Sequence, residues 1–399
     1  MYVLMFFLMP LMINAVHVQT ESVQHAKMPI ALQIDTPYQA LAQALQRDLQ
    51  MTQQFTLLFA HAPAAASAPF MLKVAPAEHT LHWQLIDQQE KHVMASGAVP
   101  AKGVPATQAH RIANQVWKAL TGNEGFFLSK IAFCKEQKGP KGRTLKHIYI
   151  VDANGAAQMP LVQTPTINIA PRWHNERPLL FYSEFADANV RLMYVDMKKK
   201  RHVACNFDGV NMLPAFSHDG KVVFSSSKGQ GASQLYYLAD GKLQQLTKNG
   251  GNNFSPTLSA DGATLYFCSD YQQRGPALFC FDMRTKQLDR IPDTCPSESP
   301  SCSDVHGLVA YCKRVKGVMQ VCVYDPKAKM SRQLTFDAAI KQGVSWSPCG
   351  QYVVYSQQKG IQSELVMMQV DAQRSWTLLS CREKISFPSW SSSFESVGA

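Results

Sequence analysis

The segment Ser255-Pro256-Thr257-Leu258-Ser259-Ala260-Asp261-Gly262-Ala263-Thr264-Leu265-Tyr266-Phe267 decides the fold, because its pattern returns along the chain. A proline is followed by any residue, an apolar residue and often serine. A turn ending in glycine comes next, then an apolar strand. Glycine permits the positive φ of a tight hairpin, and β-branched and aromatic residues fit a pleated, half-buried surface. Copies begin at Pro171, Pro214, Pro256, Pro300 and Pro388, with Val344 in the proline position ahead of Trp346 and Ser347, at intervals of 42–44 residues. Glycine-ended turns follow at Asp219-Gly220, Asp261-Gly262, His306-Gly307 and Cys349-Gly350.

A second landmark is independent of the first. Aspartate ends a further apolar strand in each unit, at Asp152, Asp196, Asp240, Asp282, Asp325 and Asp371. There its carboxylate can cap the amides of the following turn. A fourth strand follows, as in Leu243-Gln244-Gln245-Leu246-Thr247. Four strands per repeat of this length is the signature of a β-propeller blade, and six copies predict a six-bladed disc. Asp152 precedes the first proline motif, so the first blade (Ile131-Ala132-Phe133, then residues 147–151 and 158–162) lacks its innermost strand. The last motif, Pro388-Ser389-Trp390-Ser391, has no blade after it. It is expected to complete the first blade, closing the ring and removing edge strands that invite aggregation. The motif residues recur in every blade, so they read as structural rather than as one site.

With 46% hydrophobic and 17% charged residues in 399, the chain has material for a sizeable core, which excludes global disorder. The net charge of +10 lies wholly after residue 126, with seven residues of each sign before it and 32 basic against 22 acidic after it. Ten cysteines without a C-x-x-C pair do not suggest a zinc centre, and no metal or cofactor is expected. Residues 1–13 are almost wholly apolar, interrupted by Pro10. That is shorter than the ~20 residues of a membrane-spanning helix, and it reads as a signal-peptide core.

Residues 28–126 have a different texture: a strand at 29–34, then a helix from Thr36 with Tyr38, Leu41, Ala42, Leu45 and Leu49 on one face. A strand at 55–59, an Ala/Pro-rich loop at 61–69 and a hairpin from 81–85 and 92–98 follow. A second helix at 107–121 is expected to bury Ile112, Val116, Trp117 and Leu120 and to stop at Gly122. The expected fold class is α+β, with residues 1–15 a signal peptide, 16–27 a tail, 28–126 a small α/β domain and 127–399 a six-bladed β-propeller closed by its C-terminal strand.

Leu120-Thr121-Gly122 leading through Gly125-Phe126 into Ile131-Ala132-Phe133, the blade openings, Asn252-Asn253-Phe254-Ser255-Pro256-Thr257 and Phe387-Pro388-Ser389-Trp390-Ser391 together resemble the TolB family of the bacterial Tol-Pal system. The resemblance implies a periplasmic, non-enzymatic adaptor. It would link inner-membrane TolA to the outer-membrane peptidoglycan-associated lipoprotein, Pal, supporting outer-membrane integrity and constriction during cell division. Such a protein would be monomeric and peripheral to membranes through its partners. It also implies that the tail, at Val16, His17, Val18 and Gln19, engages TolA. A disordered tail adding as a strand to a partner sheet is physically reasonable, and a mere linker fits the composition equally. The chain departs from the family in its short α/β domain around residues 61–69, its weaker motifs at Pro300 and Val344, and its ten cysteines.

In a propeller, the loops that lead into each innermost strand open onto the central channel, and loops on rigid scaffolds concentrate binding residues. The candidate partner-binding set at that mouth is Thr166, Asn168, Asn211, Met212, Asn252, Asn253, Glu298, Ser299, Lys341, Gln342 and Ser386. Uncharged amides and hydroxyls can hold a peptide backbone; a water-filled polar channel is the plainer reading. Basic loops on the same face, with Lys135, Lys138, Lys141, Arg143 and Lys146 in one blade and Lys313, Arg314 and Lys316 in another, favour an acidic partner. Nucleic acid is not expected, because no basic strand interleaved with aromatics is present to stack bases.

Catalysis has little support. No Gly-x-Ser-x-Gly elbow occurs, His79 and His82 on a strand would face opposite ways, and the sparse channel carboxylates argue against calcium. Cys268 with Cys280, and Cys312 with Cys322, lie on neighbouring strands and are either disulfides or buried thiols. The alternative function is a periplasmic six-bladed propeller enzyme or sugar-binding protein with a small ligand in its channel. That reading requires convergent Glu, His or Arg, whereas these loops offer mostly Asn, Ser and Gln. A scaffold without a fixed partner is a third reading.

Overall fold

The computed structural model describes residues 27–394 apart from 187–188, 217–219, 221, 229–230, 240–241 and 273–274. The expected signal peptide and the tail residues Val16, His17, Val18 and Gln19 lie outside the described residues, as do Ser217, Asp219 and Asp240 of the repeat.

The N-terminal unit contains β1 (Met28–Ile34), α1 (Gln39–Met51), β2 (Phe55–Phe59), β3 (Phe70–Ala77), β4 (Thr80–Asp87), β5 (His92–Pro100) and α2 (Pro105–Thr121), with sheet order β2-β1-β3-β4-β5. β1 runs parallel to both β2 and β3, and β3-β4-β5 is an antiparallel meander. Leu41, Leu45 and Leu49 of α1 share a core with Ile112, Val116 and Trp117 of α2 and with Ile30, Leu72 and Leu85 of the sheet. Leu120, expected in that core, is only partly buried against it. Gly122 ends α2 at φ 73°, the left-handed cap that glycine adopts without strain. The sequence reading missed β3, and a single 3₁₀ turn (Pro63–Ser67) occupies part of the stretch expected as loop.

The rest is β-rich and propeller-like. A first group holds β6 (Lys130–Lys138), β7 (Thr144–Asp152) and β8 (Met159–Val162). A second holds β9 (Ile167–Trp173), β10 (Leu179–Ala186), β11 (Asn189–Asp196) and β12 (Arg201–Cys205). The third holds β13 (Asn211–Phe216), β14 (Val222–Ser226), β15 (Gln234–Ala239) and β16 (Lys242–Gln245), and the fourth β17 (Asn253–Leu258), β18 (Thr264–Ser269), β19 (Ala277–Asp282) and β20 (Leu288–Arg290). Next come β21 (Ser297–Cys302), β22 (Val309–Val315), β23 (Val318–Asp325) and β24 (Met330–Gln333), then β25 (Ile340–Trp346), β26 (Tyr352–Lys359), β27 (Gln362–Gln369) and β28 (Arg374–Cys381). The last strand, β29 (Ile385–Trp390), pairs antiparallel with β6, placing Ser386 opposite Cys134 and Trp390 opposite Ile131. A single parallel bridge, Lys146 to Ile167, joins the first two groups, while the other four are separate four-stranded sheets. Each of β9, β13, β17, β21 and β25 packs against the next of these strands, and β29 packs against both β25 and β9.

One backbone feature recurs in all six of those strands. Ala170, Leu213, Ser255, Ser299, Gly343 and Phe387 have φ between 52° and 62°, each at a register shift in its strand pairing. Only one is glycine, so the other five hold a conformation that side chains disfavour. In five of the six, proline follows. Proline has no N–H to lose at a bulge, and it steers the preceding residue away from the right-handed helical region.

The two units share one hydrophobic cluster. Trp117 lies edge-on to Phe55, Phe126 and Phe127, with centroids 5.7–5.9 Å apart, and Phe126 packs on Tyr352 and Trp390. Tyr352 Oη donates to the Thr52 carbonyl at 3.2 Å and accepts from Gln54 Nε2 at 3.0 Å. Trp390 Nε1 donates to Ser129 Oγ at 2.8 Å.

All ten cysteines are free. Cys312 stands opposite Val321 and Cys322 opposite Tyr311, so the two thiols point to opposite faces of their sheet. Cys268 and Cys280 share a face but stand opposite Leu278 and Tyr266, a two-residue offset. Burial pushes the Cys134 and Cys268 thiols up to about 12.

Candidate partner-binding site

The eleven residues expected at the channel mouth lie at the starts of the six bulged strands or just before them. Asn168, Asn211, Asn253 and Lys341 each sit two residues before the left-handed residue, and all four are fully buried. Their side chains tie loops down. Asn168 Nδ2 donates to Thr164 Oγ1 and to the Lys146 carbonyl. Asn211 Nδ2 donates to the Phe207 and Val190 carbonyls. Asn253 Nδ2 donates to Gln234 Oε1, Asn249 Oδ1 and the Gly251 carbonyl. Lys341 Nζ is held by the Asp337 carboxylate and by the Ala339 carbonyl at 2.8 Å.

Met212, Glu298, Gln342 and Ser386 occupy the next position; the first three are half-buried and Ser386 is buried. Burial raises the Glu298 carboxyl above its ordinary range, opposed by Arg314 and Lys384. Ser299 is itself a left-handed residue and is buried. Thr166 is half-buried and hydrogen-bonded to Thr164 and Glu184, whereas Asn252 is exposed and donates to the Asp270 carboxylate. Of the basic loop residues, Lys135 pairs with Glu383 and Lys146 with Glu136.

Two arrangements went unread in the sequence. The first joins the units. His110 of α2, buried, bonds the Asp48 carboxylate through Nδ1 at 2.7 Å and the Asp152 carboxylate through Nε2 at 3.4 Å. Asn154 donates to Asp48, and Lys130 to Asp152. Against the cost of burial, the hydrogen bonds to Asp152 and Asp48 raise His110 to about 9. Burial raises Asp48 despite His110 and Asn154, while Asp152, also buried, is held low by His110 and Lys130. Asp152 therefore does not serve its own turn as expected. Asp196, Asp282 and Asp325 do, each accepting backbone amides of the following turn.

The second is a cavity of about 330 Å³ at the opposite ends of the six strands, lined among others by Arg172, Thr257, Ser301, Ser345 and Ser389. These fill the variable position after each motif proline, with Ala215 the sixth. Four of them stitch neighbouring strands together. Backbone N–H groups of Cys302, Trp346, Trp390 and Trp173 donate to the hydroxyls of Thr257, Ser301, Ser345 and Ser389, at 2.9–3.4 Å. None of the eleven expected residues lines this cavity. Its only sequence signal is that a polar residue follows the proline in most repeats.

A family model described as the TolB beta propeller domain (PD40) matches residues 117–394. The chain belongs to the TolB β-propeller family. Among curated relatives, the Tol-Pal system protein TolB of Francisella tularensis subsp. holarctica (strain OSU18) is 32% identical over 151 residues, covering 36% of this chain and 34% of the relative. The chain thus spans about a third of the length of the curated TolB proteins it matches, 34%. The crystal structure of TolB from Acinetobacter baumannii superposes with TM-score 0.80 at 21% identity, over 91% of this chain and 96% of that one. A putative TolB from Agrobacterium tumefaciens gives TM-score 0.51 at 16% identity, over 64% of this chain and 90% of that one. These structural likenesses speak for the fold alone. Among the described residues of this TolB-family chain, no helix is long and apolar enough to cross a membrane.

Proposed function

We propose that this chain is a periplasmic, non-catalytic adaptor of the Tol-Pal system, joining TolA to Pal in support of outer-membrane integrity and constriction. The observation that carries the reading is the family match over residues 117–394. In this reading residues 1–15 are a cleaved signal, 16–27 a tail that adds to TolA through Val16, His17, Val18 and Gln19, 28–126 an α/β domain, and 127–399 a closed six-bladed propeller. Support for the ring comes from the serial packing of β9, β13, β17, β21, β25 and β29, and from the contacts of β29 with both β25 and β9.

Pal is received at the mouth where the bulged strands begin. Thr166, Met212, Asn252, Glu298 and Gln342 are the accessible members of the expected set. Of the buried members, Asn168, Asn211, Asn253 and Lys341 fix the loops that present them, and Ser299 and Ser386 lie buried at the strand starts. Such a division suits a rigid scaffold bearing a binding rim. Calorimetric titration of the folded chain with the soluble domain of Pal from the same organism tests this. Micromolar or tighter binding that weakens in Asn252→Ala/Gln342→Ala is the expected result. No binding by two methods, with the chain folded, removes the claim.

A further inference from the structure

The far cavity has a chemistry of its own. Arg172 is half-buried in its wall, and among the described residues its side chain makes one hydrogen bond, from Nη1 to the carbonyl of the adjacent Pro171, at 3.0 Å. Loss of hydration pulls its guanidinium down to about 10, so it stays cationic at neutral pH. Among the described residues, the other charged lining groups are Glu176 and Asp304, both exposed, and His174, whose burial lowers its pKa and favours the neutral ring. The cation therefore sits inside and the carboxylates lie outside.

The hydroxyls add a direction. Thr257, Ser301, Ser345 and Ser389 each accept a backbone N–H, which uses a lone pair and leaves the hydroxyl proton available. Trp173 also lines the cavity, is 6% exposed, and its Nε1 has no partner. The ring at the matching place in β25, Trp346, donates to the Ser301 carbonyl, while Trp117 and Trp376, away from this cavity, also have an unpartnered Nε1. A cavity of about 330 Å³ whose wall carries one half-buried planar cation and several hydroxyls with a proton to give, its two lining carboxylates being on exposed side chains, favours an acceptor-rich anion. A guanidinium fork matches a carboxylate in two parallel hydrogen bonds.

The geometry points to a binding site for a small carboxylate anion in this cavity, held by Arg172 and the hydroxyls of Ser301, Ser345 and Ser389. It lies at the opposite strand ends from the proposed Pal rim, so either site can fail without the other. Calorimetric titration of the full chain with succinate, in buffer free of other carboxylates, tests it, with succinamide as the neutral control. The parent and Arg172→Lys bind succinate, Arg172→Gln weakens it about tenfold or more as expected for a lost charge-assisted bond, and succinamide gives no heat. Ser301→Ala/Ser345→Ala weakens binding less than Arg172→Gln. Thermal melts check that each variant is folded, and if Arg172→Gln is not, the succinate against succinamide comparison on the parent and the weakening in Ser301→Ala/Ser345→Ala carry the test. Equal binding by Arg172→Gln, equal binding of succinamide, or no binding by the parent overturns the assignment.

Discussion

Replacing His110 with glutamine removes the charge between Asp48 and Asp152 while keeping a hydrogen-bonding side chain in its place. The folded pKa of about 9 lies above the ordinary 6.5, so protonation stabilises the fold. That contribution is complete below pH 6.5 and is lost as pH rises through 9. A shift of this size is worth about 2.5 kcal/mol between pH 7 and pH 10. Burial raises Asp48, a cost present at pH 7 and at pH 10 alike, so it lowers the stability at both ends of the window and leaves the expected loss between them on the order of 2 kcal/mol. Urea denaturation followed by tryptophan fluorescence at pH 6.5, 8, 9 and 10 measures it. The parent should lose stability across pH 8–10, and His110→Gln should start lower and follow a flatter course. Parallel curves for the two proteins would refute the claim that this histidine is held charged between two carboxylates.

Three further outcomes follow from packing and covalent state. Trp117→Ala empties the centre of the shared aromatic cluster and should cost about 3–5 kcal/mol in urea denaturation. Deleting residues 385–399 strips β6 of its partner β29, and size-exclusion chromatography should show aggregation where the full chain runs as one species. Alkylation in denaturant without reductant should label all ten cysteines by mass spectrometry, while the folded chain should react slowly at Cys134 and Cys268, whose thiols burial pushes up to about 12.

The repeat was legible because proline, glycine and aspartate mark local backbone events, and local events recur in sequence whenever the unit recurs. The left-handed residue before each proline was not, since Ala170, Leu213, Ser255, Ser299 and Phe387 share no side-chain chemistry. Their conformation is imposed by the strands around them. His110 lies 62 residues from Asp48 and 42 from Asp152, and no local pattern announces a contact made only when two units dock. Arg172 escaped for the opposite reason. Its position in the repeat was read as free, and only the structure turns six such positions toward one cavity. Six of the eleven expected rim residues were chosen as polar and accessible, yet are buried, because an amide or ammonium near a strand start is as well placed to bind its own loop as a partner.

The pairing of β29 with β6 imposes an order in time. Ser391 Oγ accepts the Lys130 amide across 261 residues of chain. In a chain that emerges N-terminus first at ~5–20 residues per second, β6 waits roughly 10–50 s before its partner exists. Every other sheet of the repeat can close on strands already emerged, whereas β6 must be kept from misdirected pairing until β29 appears. A single late error near the C-terminus would then be felt at the start of the domain. Chains truncated or stalled before β29 would leave that edge of β6 unpaired.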